Sequence, residues 1–491
     1  MFSLPPAARL LDQFAPALTA PTYRRFLVLC IGAIVTMGRR TVSHILWSVR
    51  SLCQGKGGAR GHPSSYHRFF SAARWSLLAM ARVLAVAILQ WVPPEQPVVV
   101  AGDDTVAEHR GKKVFGKGCH RDATHSSHGH TVWRWGHKWV TLAILVRLPF
   151  CKRYWALPVL AALYTPPKPQ RHAKGKGKAG GTGKGKGKAR PTSAQRAGRG
   201  MARRRQRRHK TPPLLARQML AVLMHWFPQR QFILLGDWGF ASHDLAWFCH
   251  RHRRRLKLVG RIRGDANLHA LPGPVPAGRG RGRPRRKGAK LPSPKQQVAR
   301  AQRRALARLR WYGNSVRDLQ LLSGCAGWYR GHGCGRAGLV PLRWVFVHDP
   351  LGGRDDYFYS TDPNLRPGQI VECFAARWSI EVTFQEIRAH LGFESTRQWC
   401  GNSVRRAGAL LLGLFSVVSL IYGELARQQK VKVHTTACYH KSSPTFADAL
   451  AAVRTLLWEQ IILPHAPGSH LVAKIPPALR ELLLEHLTAA A

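Results

Sequence analysis

The chain has 491 residues, 45% of them hydrophobic, enough to bury a large core and build two or three structural units. Lysine and arginine number 78 against 23 acidic residues, a formal net charge of +55, and such a field favours a polyanion, nucleic acid before an anionic membrane. Ten cysteines lie scattered from Cys30 to Cys438 without a CxxC pair, which excludes a disulfide framework or a zinc site and suits reduced thiols in a cytoplasmic protein.

Residues 1 to 95 read as a helical N-terminal DNA-binding region. The opening MFSLPPAARLLDQFAP lacks the basic stretch and apolar run of a secretory signal. In GRRTVSHILWSVRSLCQG, Thr41 is placed to cap a helix carrying Val42, Ile45, Leu46 and Val49, with Gly55 as its stop. A second helix, Trp75 to Gln90, follows the basic and aromatic HPSSYHRFF, a pattern that suits a helix-turn-helix reader or a plain helical bundle. The apolar stretches Phe26 to Met37, Ser76 to Val92 and Ala409 to Tyr422 are broken or shorter than the ~20 residues of a membrane span, so each predicts a buried helix.

The period then changes. Pro97 to Gly102 is a short apolar run of buried-strand type that delivers Asp103 and Asp104 at its end. Thr131 to Arg147 reads as a hairpin with Gly136 at its turn. The histidines at 120, 125, 128 and 130 sit in a polar loop rather than in a metal-binding frame. Residues 166 to 213 alternate Gly and Lys and then run RRRQRRHK, a basic disordered arm that buries almost nothing. An amphipathic helix, Leu214 to Trp226, precedes a second buried strand, Gln231 to Leu235, which delivers Asp237; Leu256 to Ile262 reads as a third strand. These pieces give a catalytic core in parts at 96–165 and 214–265.

Residues 266 to 310 form a basic linker in which Arg281-Gly282-Arg283-Pro284 resembles an AT-hook core, whose arginines enter the narrow minor groove of A·T-rich DNA. Strand signals at Val316 to Leu322, Cys325 to Tyr329, Leu339 to Val347 and Tyr357 to Ser360 mark a strand-rich insertion at 311–365. A third core part follows at 366–400 and a helical C-terminal region at 401–491. Within the third part, FAARWSIEVTFQEIR reads as one helix from Phe374 to Arg388. At ~100° per residue, Arg377, Glu381 and Arg388 fall in one row inside the apolar face, and Glu386 on the opposite, solvent side. A carboxylate between two guanidiniums there suits a metal ligand beside a phosphate site.

Two carboxylates at the ends of buried strands and a third on a late helix are what two-metal phosphoryl chemistry needs. The order DDT, LLGDWGF, then F-x2-R-x3-E-x6-R resembles the DDE transposases of bacterial insertion sequences, in the branch with a Tyr-x2-Arg-x3-Glu-x6-Lys signature. HTVWRWGHKWVTLAILVRLPF, GRPRRKGAKLP, VPLRWVFVHDP and RWSIEVTFQEIRAHLGFESTRQW also resemble segments of that branch, so the likeness spans about 100 to 400.

The resemblance implies an α/β fold: an RNase H-like core with a strand-rich insertion, flanked by helical termini and two disordered basic segments. It implies two magnesium ions, or manganese in their place, held by Asp103, Asp237 and Glu381, the Asp-x-Thr spacing favouring Asp103 over Asp104. Arg377 and Arg388 would bind phosphates near the cleaved end, together with Phe374, which replaces the family's Tyr; Arg388 replaces its Lys. The implied activity is cut-and-paste transposition on double-stranded DNA, the terminal inverted repeats and the target. The protein would act as a homodimer at synapsis, off the membrane, in the nucleoid-associated bacterial cytoplasm. A non-catalytic basic DNA-binding protein derived from a transposase and an RNase H-like nuclease are the competing readings.

Overall fold

The computed structural model describes residues 3–54, 62–122, 126–127, 129–166, 209–273, 286–331, 338–428, 441, 443–472 and 474–489. The expected basic arm falls almost wholly outside them, as do Arg281, Arg283, His125 and His128. After a 3-10 helix (Pro6–Ala17) come helices α1 (Ala20–Val35), α2 (Val42–Ser48), α3 (Arg50–Gln54), α4 (Pro63–Ser71) and α5 (Leu77–Leu89). Thr41 caps α2 by accepting from the His44 N–H, and Ser76 caps α5 by accepting from Ala79.

The core strands are β1 (Val98–Glu108), β2 (Gly118–Arg121), β3 (Trp133–Val146), β4 (Trp155–Tyr164), β5 (Phe232–Gly236) and β6 (Leu256–Arg261), with α6 (Pro212–Trp226) and α7 (His243–Arg251) between the later ones. β5, all apolar and all buried, lies centrally and is parallel to β1 and β6. β3 pairs antiparallel with both β1 and β4. The order β4–β3–β1–β5–β6, three antiparallel strands followed by two parallel to β1, is the RNase H-like arrangement.

Two local expectations are corrected. Thr131 to Arg147 is not a hairpin: Gly136 lies inside the single long strand β3, where a Cβ would meet the Ala107 carbonyl oxygen at 2.1 Å. Close backbone approach, not a turn, requires this glycine. β1 does not stop before the aspartates but pairs with β3 as far as Glu108, so Asp103 and Asp104 sit mid-strand.

The stretch expected to be a linker carries β7 (Leu268–His269), α8 (Pro294–Arg300) and β8 (Ala305–Arg310), α8 opened by a capping box between Ser293 and Gln296. Next come β9 (Val316–Arg330), one strand where two were expected, β10 (Gly338–Asp349) and β11 (Arg354–Ser360). β11 pairs antiparallel with β6, so the insertion continues the core into one eleven-stranded sheet. One apolar cluster extends from Leu4 to Ile462 and joins the helical termini to that sheet.

The longer remaining helices are α9 (Pro367–Ala376), α10 (Ser379–His390), α11 (Gly401–Arg427), α12 (Phe446–Leu457) and α13 (Pro477–Thr488). α11 is longer than its apolar stretch suggested. Among the described residues it is the one helix long and apolar enough to cross a membrane, and 72% of that apolar window is buried inside the protein. It crosses β4 closely: Ser416 donates to the Pro158 carbonyl at 2.8 Å, and a Cβ on Gly408 would strike the Trp139 indole at 2.1 Å. Arg406 ties it to the carbonyls of Phe69, Phe70, Ala73 and Trp75.

Candidate active site

The parallel register pairs Gly102 of β1 with Gly236 of β5, and the next residue on each strand is an aspartate. Adjacent strands lie ~4.8 Å apart, so Asp103 and Asp237 are placed side by side by backbone pairing alone. Asp237 closes a local turn, its Oδ1 accepting from the Gly239 N–H at 2.9 Å. Asp103 Oδ1 accepts from the Asp104 N–H at 2.7 Å. Burial pushes the Asp103 carboxyl well above the usual carboxylate range, the charge of Asp237 adds to the rise, and Arg377 opposes it.

Asp104 points elsewhere. It pairs with Lys138 at 2.8 Å, and in a strand neighbouring side chains take opposite faces. The structure therefore separates the two acids that the sequence left close: Asp103 faces the late helices and Asp104 does not.

The expected single helix from Phe374 to Arg388 is two helices, α9 and α10, which meet at Arg377 and Trp378. The junction leaves Arg377 between the acids. Its guanidinium donates to Asp103 Oδ2 at 3.0 Å and to Glu381 Oε1 at 2.5 Å. Burial works against this cation, yet Asp103 and Glu381 hold it above its ordinary value. Arg388, two turns past Glu381, donates to the Thr105 hydroxyl and lies 3.6 Å from Glu394. Asp103, Asp237, Arg377 and Glu381 thus lie together over the central strands, and Arg388 stands further along β1, at Thr105.

Phe374 does not belong to that surface. It is fully buried, stacked on Phe358 with ring centroids 4.4 Å apart, and offers nothing for DNA to touch. Glu386 is not the solvated acid expected either: its carboxylate is half-buried, 3.3 Å from the His390 ring, and lines an open pocket. Tertiary neighbours decide both: Phe358 covers the Phe374 ring, and His390 lies beside Glu386. Arg261 was missed; Gly260 pairs with Gly236, which puts Arg261 beside Asp237 on the next strand, its guanidinium 5.4 Å from the Phe374 ring centre and 2.9 Å from Asp356. The "GR" ending of β6 could have shown it, given the register.

The donor set suits a hard divalent cation, since all three acids offer oxygen and two follow paired glycines on adjacent strands. Among the described residues, however, no three acidic, histidine or cysteine side chains converge closely enough to hold an ion in this conformation. Arg377 is the counter-charge here.

An RNase H-like sheet with two aspartates side by side on its central strands, faced by a glutamate on a late helix, is an arrangement of nuclease type. Within that class the chain belongs to the DDE superfamily endonucleases, whose family pattern matches residues 13–318, more than half of its length. Residues 341–427 match a second family, described as archaeal putative transposase ISC1217. Among solved structures, the piggyBac transposase synaptic complex with hairpin DNA is similar at 12% identity and a TM-score of 0.37, covering 95% of this chain and 75% of that one. No curated protein matches.

Proposed function

We propose that the chain is a DDE transposase of the Tyr-x2-Arg-x3-Glu-x6-Lys branch, cutting DNA at the ends of its own element and joining the freed ends to target DNA. The observation that carries the reading is the bridge from Arg377 to Asp103 and Glu381, which collects residues 274 and 4 positions apart at the strand edge where Asp237 also lies. Asp103, Asp237 and Glu381 would hold the divalent ions. Bound there, magnesium would supply Lewis-acid polarisation of the scissile phosphate and a lowered pKa for the attacking water.

The chain's own residues do the rest. Arg377 exchanges its carboxylate partners for a DNA phosphate, and Arg388, anchored on Thr105, binds a neighbouring one. Water adds to phosphorus and the P–O3′ bond breaks, leaving a 3′-hydroxyl and a 5′-phosphate. The 3′-hydroxyl then attacks a target phosphodiester, with one P–O bond formed and one broken. The two DNA ends would be paired by a homodimer.

Cleavage of a labelled duplex carrying the element's terminus, with Mg²⁺ or with EDTA, tests this. Wild-type protein should cut at the terminus only with metal, and Glu381→Ala should bind without cutting. A second reading has a specific support: because Arg377 neutralises the acids in this conformation, a basic DNA-binding protein without catalysis would look the same. Binding without cutting by wild type under conditions that permit synapsis would establish that reading instead.

A further inference from the structure

β3 continues beyond its pairing with β1 and there carries two exposed indoles, Trp133 and Trp135, 60% and 61% accessible. Tryptophan at that exposure, twice within three residues, is not explained by the core. The pair shares a strand face, with Arg134 between them turned the other way to Glu108 and Asp122. On the same face the neighbouring strand β2 places Cys119 opposite Trp135 and Arg121 opposite Trp133. The Lys117 ammonium stands 5.7 Å from the Trp135 ring centre.

The surroundings are cationic. Lys112, Lys113 and Arg121 are exposed, and the loop after β1 is backed by the Arg405 guanidinium, 4.6 Å over Phe115. Two neighbouring acids, Glu108 and Asp122, are engaged by Arg134. Two residues along a strand separate the indoles by ~6.8 Å, and nucleic-acid bases stack at ~3.4 Å, so the space between them matches one base.

We propose that this face of the β2–β3 hairpin is a stacking platform for unpaired DNA bases. Duplex bases keep their faces covered, so the platform fits a single strand: indoles take the bases while Lys117 and Arg121 take phosphates. The inference rests on the proposed DNA-cutting function and places this contact within it. Trp135 lies six residues along β3 from Thr141, the partner of Asp103, and on the same face by alternation. That is ~20 Å, about six nucleotide steps from the candidate active site.

The test is anisotropy of dye-labelled oligothymidine, about 12 nucleotides long, against a blunt duplex, using full-length wild type, Trp133→Ala/Trp135→Ala and Trp133→Phe/Trp135→Phe. The alanine pair should lose affinity for the single strand by about 10- to 100-fold with duplex affinity unchanged, and the phenylalanine pair should retain most of it. Equal losses on both probes, or no loss on the single strand, would overturn the platform, provided the urea midpoint shows the variant folded; an unfolded alanine pair transfers the same comparison to Trp133→Ser alone. Cleavage by wild type separates the two proposals: if wild type never cuts yet the oligothymidine difference stands, the proposed function fails and the platform survives.

Discussion

Arg377 and Asp103, 274 residues apart in sequence, meet at 3.0 Å with both side chains largely buried. The contact joins the junction of α9 and α10 to the middle of β1, and it makes the candidate active site its own counter-ion in the absence of other ligands.

Removing one partner of a buried pair leaves an uncompensated charge, which costs ~3–5 kcal/mol. Arg377→Met should therefore lose about that much stability in urea unfolding, while Arg377→Met combined with Asp103→Asn should lose clearly less than the sum of the single changes. Additive losses would show that the pair is not coupled.

Divalent ions should compete with Arg377 for the same oxygens. Millimolar Mg²⁺ or Mn²⁺ should raise the melting temperature of wild type, since a ligand that binds the folded state stabilises it. Asp103→Asn/Asp237→Asn should show no such rise. Calorimetric scans with and without EDTA decide it.

Gly136→Ala would drive a methyl group to 2.1 Å from the Ala107 carbonyl oxygen. The strand must move, and a loss of at least ~1–3 kcal/mol is expected. Gly273→Ala, where nothing lies within 4 Å, is the control and should leave the urea midpoint in place.

Burial lowers the pKa of His137 from 6.5 to about 4, against the bond its ring makes to the Phe115 carbonyl at 3.0 Å. The unfolded chain therefore takes up this proton first, and the histidine's contribution to stability is complete above pH 6.5 and is lost as pH falls toward 4. His137→Gln should flatten that part of the stability profile. An unchanged slope between pH 7 and 5 would assign the effect to other groups, His109, His120 and His243 being lowered by burial as well.

Much of the site was legible in the sequence because strand and acid are adjacent there: GDD and GDW each end an apolar run, and the register only had to bring them together. What was not legible is tertiary in origin. Gly136 looks like a turn because its reason is a carbonyl of β1. The break at Arg377 and Trp378 has no proline or glycine to announce it, and the resemblance that put Phe374 at the DNA could not show that Phe358 stacks on its ring. β9 was divided at Ser323 and Gly324, where small residues make room for the Trp344 indole: a Cβ on Gly324 would lie 2.9 Å from it. The Asp-x-Thr spacing already favoured Asp103 over Asp104, but the partner that turns Asp104 away, Lys138, lies on the other strand.

The hydrogen bonds between β11 and β6 carry one mechanical consequence. Because β6 is the strand next to Asp237, the fifteen-residue β9 and its neighbours are not a hinged appendage but the far end of the plank that holds the acids. Whatever touches the outer strands β9 and β10 is held at a fixed span and bearing from Asp237, so the sheet serves as a ruler whose marks are set by strand spacing.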